Sequence, residues 1–226
     1  MAINVYWACL EDEWLRFASP EPLSNVVKNS PTFYKPVNFC PAFKDSLKNV
    51  FALRSIYNYE FEIVESKVTS SYYDQPFFDR HVYIRSAQEK CFSFNQYTIF
   101  FTDSSSLEMV VLPPYLEDNN ISERCKVFSG KYDIGKWCRN LEFSFQLKSQ
   151  YNSFKINEGE IYSYVQFNTK EKINLVQFMP NQNITPFLSA CIHAKENKTT
   201  FKKLQYYYNN FKFKKLLLQE IRKNII

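Results

Sequence analysis

The sequence predicts a mostly β chain, a jelly-roll or cupin-like β-sandwich followed by a C-terminal helical extension, and three observations carry that prediction. Aromatic residues make up 18% of the chain, with 22 Phe and 16 Tyr, and such side chains suit a pleated, half-buried surface. Nine or ten short runs alternate apolar and polar residues with period two and are separated by polar breaks, the spacing of a sandwich or barrel. Helical spacing and a reversal of charge arrive only after residue 186.

Ile3–Cys9 reads as the opening strand, and Pro20, Pro22, Pro31 and Pro36 break the stretch that follows into an irregular excursion. Val50–Tyr57 and Tyr59–Glu65 follow; in the second, Tyr59, Phe61 and Ile63 alternate with Glu60, Glu62 and Val64. His81–Arg85 places Val82 and Ile84 on one face and His81, Tyr83 and Arg85 on the other. Cys91–Phe101 and Leu107–Leu112 are expected to pair around Asp103-Ser104-Ser105-Ser106, and Pro113-Pro114 ends the second of them. Arg124–Ser129, Asn140–Leu147, Glu160–Asn168 and Lys172–Met179 complete the set. Tyr162, Tyr164, Gln166 and Asn168 share a face in the third of these, and Gly159 makes the tight turn before it. Almost no helix is expected in this body.

From Thr185, a candidate N-cap before Pro186, the pattern becomes helical. Phe187–Lys195 forms one helix, Asn197-Lys198-Thr199 a break, and a second helix carries Phe201, Leu204, Tyr208 and Phe211 at helical spacing, interrupted at Asn209-Asn210. The domains are accordingly residues 1–185 for the sandwich and 186–226 for the basic aromatic extension. Residues 1–186 hold 19 basic and 21 acidic side chains, whereas residues 187–226 hold nine basic against Glu196 and Glu220, so the net charge of +5 originates in the tail.

Composition excludes several classes. The three glycines, Gly130, Gly135 and Gly159, allow neither a P-loop nor a dinucleotide fingerprint. No apolar run spans a bilayer, and the first residues lack a signal peptide's basic start, so the chain is expected in the cytosol, with a membrane not expected as a partner. The six cysteines form no C-x-x-C pair and read as reduced core residues.

Pro114-Tyr115-Leu116-Glu117-Asp118-Asn119-Asn120, Tyr132-Asp133-Ile134-Gly135-Lys136-Trp137-Cys138-Arg139 and Glu158-Gly159-Glu160-Ile161-Tyr162-Ser163-Tyr164-Val165-Gln166-Phe167 resemble uncharacterised tailed-phage proteins. They are distantly similar to a bacterial jelly-roll-like family of unknown function. The resemblance spans residues 38–180, leaves the tail outside, and implies a viral origin and a jelly-roll-like fold. It brings no catalytic residue.

Candidate chemistry is sparse. A metal cupin needs two imidazoles converging with a carboxylate; the histidines are His81 and His193, with no H-x-H, so neither a metal nor a cofactor is expected. No base stands near a nucleophile, and no catalytic residue is singled out. If the β-domain interior is a pocket, its lining is His81, Tyr83, Arg85, Glu142, Tyr162, Tyr164 and Gln166. Glu117 and Asp118 after the proline pair, with Lys136, Trp137 and Arg139 around Gly135, have the composition of an interaction surface; the competing explanation is a solvated loop and a packed Trp. In the tail, Lys202, Lys203, Tyr207, Lys212, Lys214 and Lys215 mix cations with rings that stack on bases, while an apolar stripe packing on the chain's own domain or on a neighbouring subunit explains the same pattern. The leading expectation is a non-enzymatic phage protein, a virion component or accessory factor, acting through protein partners or self-association. The alternatives are a cupin-like enzyme or small-molecule-binding protein using the β-domain interior, and a nucleic-acid-binding protein acting through the tail.

Overall fold

Strands form where period-two alternation meets aromatic and β-branched side chains. The computed structural model describes the chain except for residues 1, 11–18, 32–36, 38, 66, 71, 137, 139, 197–199 and 210–211, and gives the backbone only at 96, 192–196, 201, 204, 205 and 208. The first elements are β1 (Ala2–Cys9), β2 (Glu21–Pro22), α1 (Leu23–Asn29), α2 (Pro41–Ser46), β3 (Val50–Arg54), β4 (Tyr59–Val64) and β5 (Lys67–Thr69). The middle holds α3 (Gln75–His81), β6 (Val82–Ser86), β7 (Cys91–Thr102), β8 (Glu108–Leu112), α4 (Asn120–Arg124), β9 (Cys125–Phe128) and β10 (Lys131–Asp133). Then come β11 (Asn140–Leu147), β12 (Ser153–Ile156), β13 (Ile161–Phe167) and β14 (Lys172–Gln177), and finally α5 (Thr185–Glu196), α6 (Phe201–Asn209) and α7 (Lys214–Lys223).

The chain is mostly β. One sheet runs β14-β1-β7-β11-β9, with β6 also on β7; a second runs β10-β8-β13-β3-β2; a third runs β12-β4-β5. The pair β1–β14 is parallel, from Ala2↔Lys172 to Trp7↔Gln177, and β7 pairs antiparallel with β1, β6 and β11. Between the sheets lies one cluster containing Trp7, Phe92, Phe94, Phe143 and Phe145 from the first, Leu53, Val165 and Phe167 from the second, and Phe61, Phe154 and Ile156 from the third. Its rings pack directly: Tyr59 stacks on Phe94 at 4.6 Å and Phe145 on Phe154 at 5.0 Å between centroids. Two smaller clusters cover outer faces. Leu23 and Val27 of α1 pack on Val50, Ala52, Ile161 and Tyr164, and Ile184, Leu188, Leu217, Leu218 and Ile221 pack on Tyr6, Ala8, Ile99 and Phe101.

Several expectations change. Among the described residues four short helices stand in the body, and two of them start on side-chain caps: Asp74 accepts a bond from Phe77 N–H at 2.9 Å to start α3, and Asn119 with Ser122 forms a reciprocal cap on α4. His81 consequently ends α3 instead of beginning β6. Strands β7 and β8 do not pair; they belong to different sheets. The Asp133 carboxylate explains this, since it accepts from Ser106 Oγ at 2.8 Å and from Leu107 N–H at 3.2 Å and turns the connection towards β10. In β13 a register shift between Ile161 and Ser163 sends Tyr162 into the central cluster and Tyr164 to the opposite face, so these two do not share a face. The helical tail divides at the asparagines, as its sequence predicts, into α6 and α7; the side chains of Phe201, Leu204, Tyr208 and Phe211 lie outside the described residues. Among the described residues, no helix is long and apolar enough to cross a membrane.

Candidate functional site

The seven residues expected to line an interior pocket separate into different surroundings, because the interior is filled by aromatic rings. Tyr162 is one of those core residues, with its ring edge-on to Phe143 at 5.4 Å, and burial holds its hydroxyl well above the usual phenol range. Tyr164 lies on the outer face of the second sheet and donates to Glu117 Oε1 at 2.9 Å. Burial, then the Glu117 carboxylate, raises its pKa. Gln166 is half-buried on β13. His81 is fully buried, with ring centroids 4.2 Å from Phe77, 4.9 Å from Tyr57 and 5.4 Å from Tyr97. Burial and then the Arg80 charge lower its pKa to about 4, so the imidazole is neutral at pH 7.

Arg85, Tyr83 and Glu142 do come together, on the outer face of the first sheet. Directly opposed residues of antiparallel strands share a face, and the registers Tyr83↔Ser93, Ser93↔Ser144 and Ser144↔Phe128 draw one row across β6, β7, β11 and β9. The two serines bond each other at 2.7 Å. Arg85 lies over them: its Nε donates to Ser93 Oγ at 3.0 Å, its Nη2 to Glu142 Oε2 at 2.8 Å, and its guanidinium carbon is 5.6 Å from the Tyr83 ring centroid. Asn140 donates to Asn95 Oδ1 at 2.5 Å in the next row. Tyr83 and Phe128 are 42% and 50% exposed. They flank a low polar strip, three strand spacings apart, or roughly 14 Å at the backbone. Phe128 carries no sequence signal of its own; only the register brings it opposite Ser144.

The other half of the same face is covered by the tail. Leu217, Leu218 and Ile221 are buried in it, which bears out the apolar-stripe explanation for α7. Two cations fix the helix in place: Lys214 Nζ donates to the Ser104 carbonyl and, at 2.9 Å, to that of Gly135, and Arg222 Nη2 donates to Asp103 Oδ2 at 2.9 Å. Burial lowers the Lys214 pKa. Lys214 is therefore a docking residue. Lys202, Lys203, Tyr206, Tyr207, Lys212 and Lys215 are exposed, with the Tyr206 and Tyr207 rings 6.3 Å apart and nearly perpendicular.

The proposed interaction surface divides likewise. Asp118 is exposed and Glu117 is held by Tyr164. Lys136 pairs with Asp133 at 3.0 Å; burial works to raise the Asp133 pKa, but bonds from Lys136, Ser106, Leu107 and Gly135 hold it below the usual carboxylate range. Trp137 and Arg139 lie outside the described residues. Among the described residues, no three His, Cys, Asp or Glu side chains gather as metal ligands. Cys9, Cys125, Cys138 and Cys191 are buried, and burial pushes the Cys125 thiol up to about 12, far from the thiolate a nucleophile needs.

No family model and no curated protein matches the chain. Among solved structures, the dUTPase from phage phi11 of S. aureus is 11% identical, with 79% of this chain and 97% of that chain covered at a TM-score of 0.40. A point mutant of the same enzyme covers 72% of this chain and 88% of its own, 11% identical, at 0.39. A mutant of Staphylococcus bacteriophage 80alpha dUTPase with dUpNHpp is 10% identical, with 79% and 89% covered at 0.38. The expectation of a non-enzymatic phage protein acting through protein–protein contacts is corrected here, because these solved structures are of enzymes. At such identities and TM-scores the likeness transfers no activity, substrate or catalytic residue.

Proposed function

We propose that the C-terminal helices are a nucleic-acid-binding layer carried on a jelly-roll or cupin-like β-sandwich of viral origin, with the boundary near residue 185. The observation that carries this reading is a division of labour among the tail's cations. Lys214 and Arg222 bond the β domain, whereas Lys202, Lys203, Lys212 and Lys215 are exposed, as are Tyr206 and Tyr207. Cations in a fixed layer bind the phosphate backbone and release its counterions, and exposed rings stack on unpaired bases. The body holds 19 basic and 21 acidic side chains in residues 1–186, so attraction for a polyanion concentrates on the tail.

Deleting residues 187–226 is the wrong test, because Leu217, Leu218 and Ile221 are buried and their loss uncovers Tyr6 and Phe101. Charge removal at exposed positions avoids that. Fluorescence anisotropy with a labelled oligothymidylate, repeated over a salt series, is expected to show affinity falling linearly on logarithmic axes. Lys202→Gln, Lys203→Gln, Lys212→Gln and Lys215→Gln together flatten that slope by roughly 0.7 per lysine in contact with phosphate. A chain that binds no oligomer at low salt, or whose slope ignores all four changes, sinks the reading.

A further inference from the structure

We infer that the uncovered half of the first sheet's outer face is a base-stacking subsite, in which Tyr83, Arg85 and Phe128 receive unpaired bases of a strand whose phosphates lie on the tail; this rests on the reading above. Continuity is the first argument. The even positions of β11 and the odd positions of β7 face outward, so Ser93 and Asn95 lie on the same face as Ile99 and Phe101. The helices cover Ile99 and Phe101, and the sheet continues past them to Tyr83 and Phe128. Between the halves β7 takes two extra residues, from Asn95 to Ile99 against Glu142 to Asn140, with Tyr97 at φ +51°. A bulky residue there is unusual, and bulges of this kind re-aim side chains beside binding sites.

The chemistry of the strip is the second argument. A base is a flat ring with a polar edge and no charge. The strip offers flat partners at both flanks, Tyr83 and Phe128, both well exposed. Between them is a guanidinium plane, itself a stacking surface for bases. Arg85 is held by Glu142, by Ser93 and against the Tyr83 ring, and its Nη1 bonds none of the described residues. It can therefore donate to a base edge without first ordering a long side chain. The Glu142 carboxylate 2.8 Å from Arg85 Nη2 offsets the guanidinium charge, which suits a base better than a phosphate. A wholly apolar ligand would take the outward Nη1 of Arg85 out of water without giving it an acceptor.

The test compares two strands with equal numbers of phosphates: a twenty-nucleotide oligothymidylate and the same backbone carrying abasic tetrahydrofuran units. Anisotropy is measured for the native chain and for Tyr83→Ala with Phe128→Ala, both at exposed positions, with circular dichroism and a melting curve to show that the variant is folded. The native chain should prefer the base-bearing strand by ~10-fold or more. The double variant should lose most of that preference while keeping the native salt slope. Arg85→Lys, which keeps the charge but loses the plane, should lie between them. If the native chain shows no preference for bases, or the double variant keeps it in full, the subsite is refuted while phosphate binding by the tail's lysines stands. If neither strand binds, the reading beneath it fails as well.

Discussion

Lys214 reaches from the first turn of α7 to the carbonyl oxygen of Gly135 at 2.9 Å, and this bond joins the last helix to the turn after β10. The same ammonium bonds the Ser104 carbonyl, so three segments far apart in sequence meet at one cation. Its position 5.7 Å from the Phe101 ring centroid adds a cation–π contact. A Cβ on Gly135 would lie 2.7 Å from that same Ser104 oxygen and 3.1 Å from that of Ser105. Glycine at 135 is therefore what lets the two turns approach closely enough to share the lysine.

Gly135→Ala and Gly159→Ala should separate two reasons for a glycine. At 135 the added methyl meets rigid backbone, so overpacking is expected to cost about 1–3 kcal/mol and to loosen α7. At 159 nothing lies within 4 Å, but φ is +82°, so the cost is the left-handed conformation alone, about 1 kcal/mol. Urea unfolding of both variants, with amide exchange in α7, checks this: only Gly135→Ala should speed exchange in the helix.

Leu217 and Ile221 are both fully buried against the sheet. Either one changed to Ala should destabilise the chain by about 2–5 kcal/mol, and Leu216→Ala, at a 52% exposed position on the same helix, by far less. Melting temperatures of the three variants decide it. Equal, small losses would mean that α7 does not form part of the cooperative unit.

Much of this arrangement is legible in the sequence. Period two in Asn140–Leu147 predicts the observed alternation of buried and half-buried positions in β11, and Asn209-Asn210 marks the division of the tail. Other features depend on contacts distant in sequence. Asp103 to Ser106 has the composition of a hairpin turn, yet Asp133, some 27 residues on, takes Ser106 and makes it a crossing between sheets. Tyr162 and Tyr164 have the spacing of one face, but a single register shift divides them. Arg85 and Glu142 are 57 residues apart, and only the pairing of β6 and β11 on either side of β7 brings them together. Phe128 looks like any strand residue until its register sets it at the end of the Tyr83 row.

His81 makes stability depend on pH in a defined direction. Its folded pKa of about 4 lies below the ordinary 6.5, so between these values the unfolded chain takes up a proton that the folded chain refuses. Stability from this residue is complete above pH 6.5, falls as pH drops, and levels off below about 4. The change amounts to about 3 kcal/mol at most. In His81→Phe, which keeps a ring among Tyr57, Phe77 and Tyr97, the unfolding free energy should lose that part of its slope between pH 6.5 and 4. A variant with the native slope would assign the dependence to carboxylates.

The interior predicts its own failure to bind ligands. Phe145 touches the rings of Phe92, Phe94, Phe143 and Phe154, all within 5.9 Å between centroids, and it is fully buried. Phe145→Ala is expected to cost about 3–5 kcal/mol and to leave an apolar void walled by aromatic rings, of the kind that stays dry and admits benzene. Benzene should then raise the melting temperature of the variant, because a ligand that binds only the folded state stabilises it. The native chain should show no such rise, since the space is already filled by Phe145 itself. A comparable rise in the native chain would reveal an internal pocket and reopen the small-molecule reading; a rise confined to the variant leaves the outer face of the sheet as the place to look for a ligand.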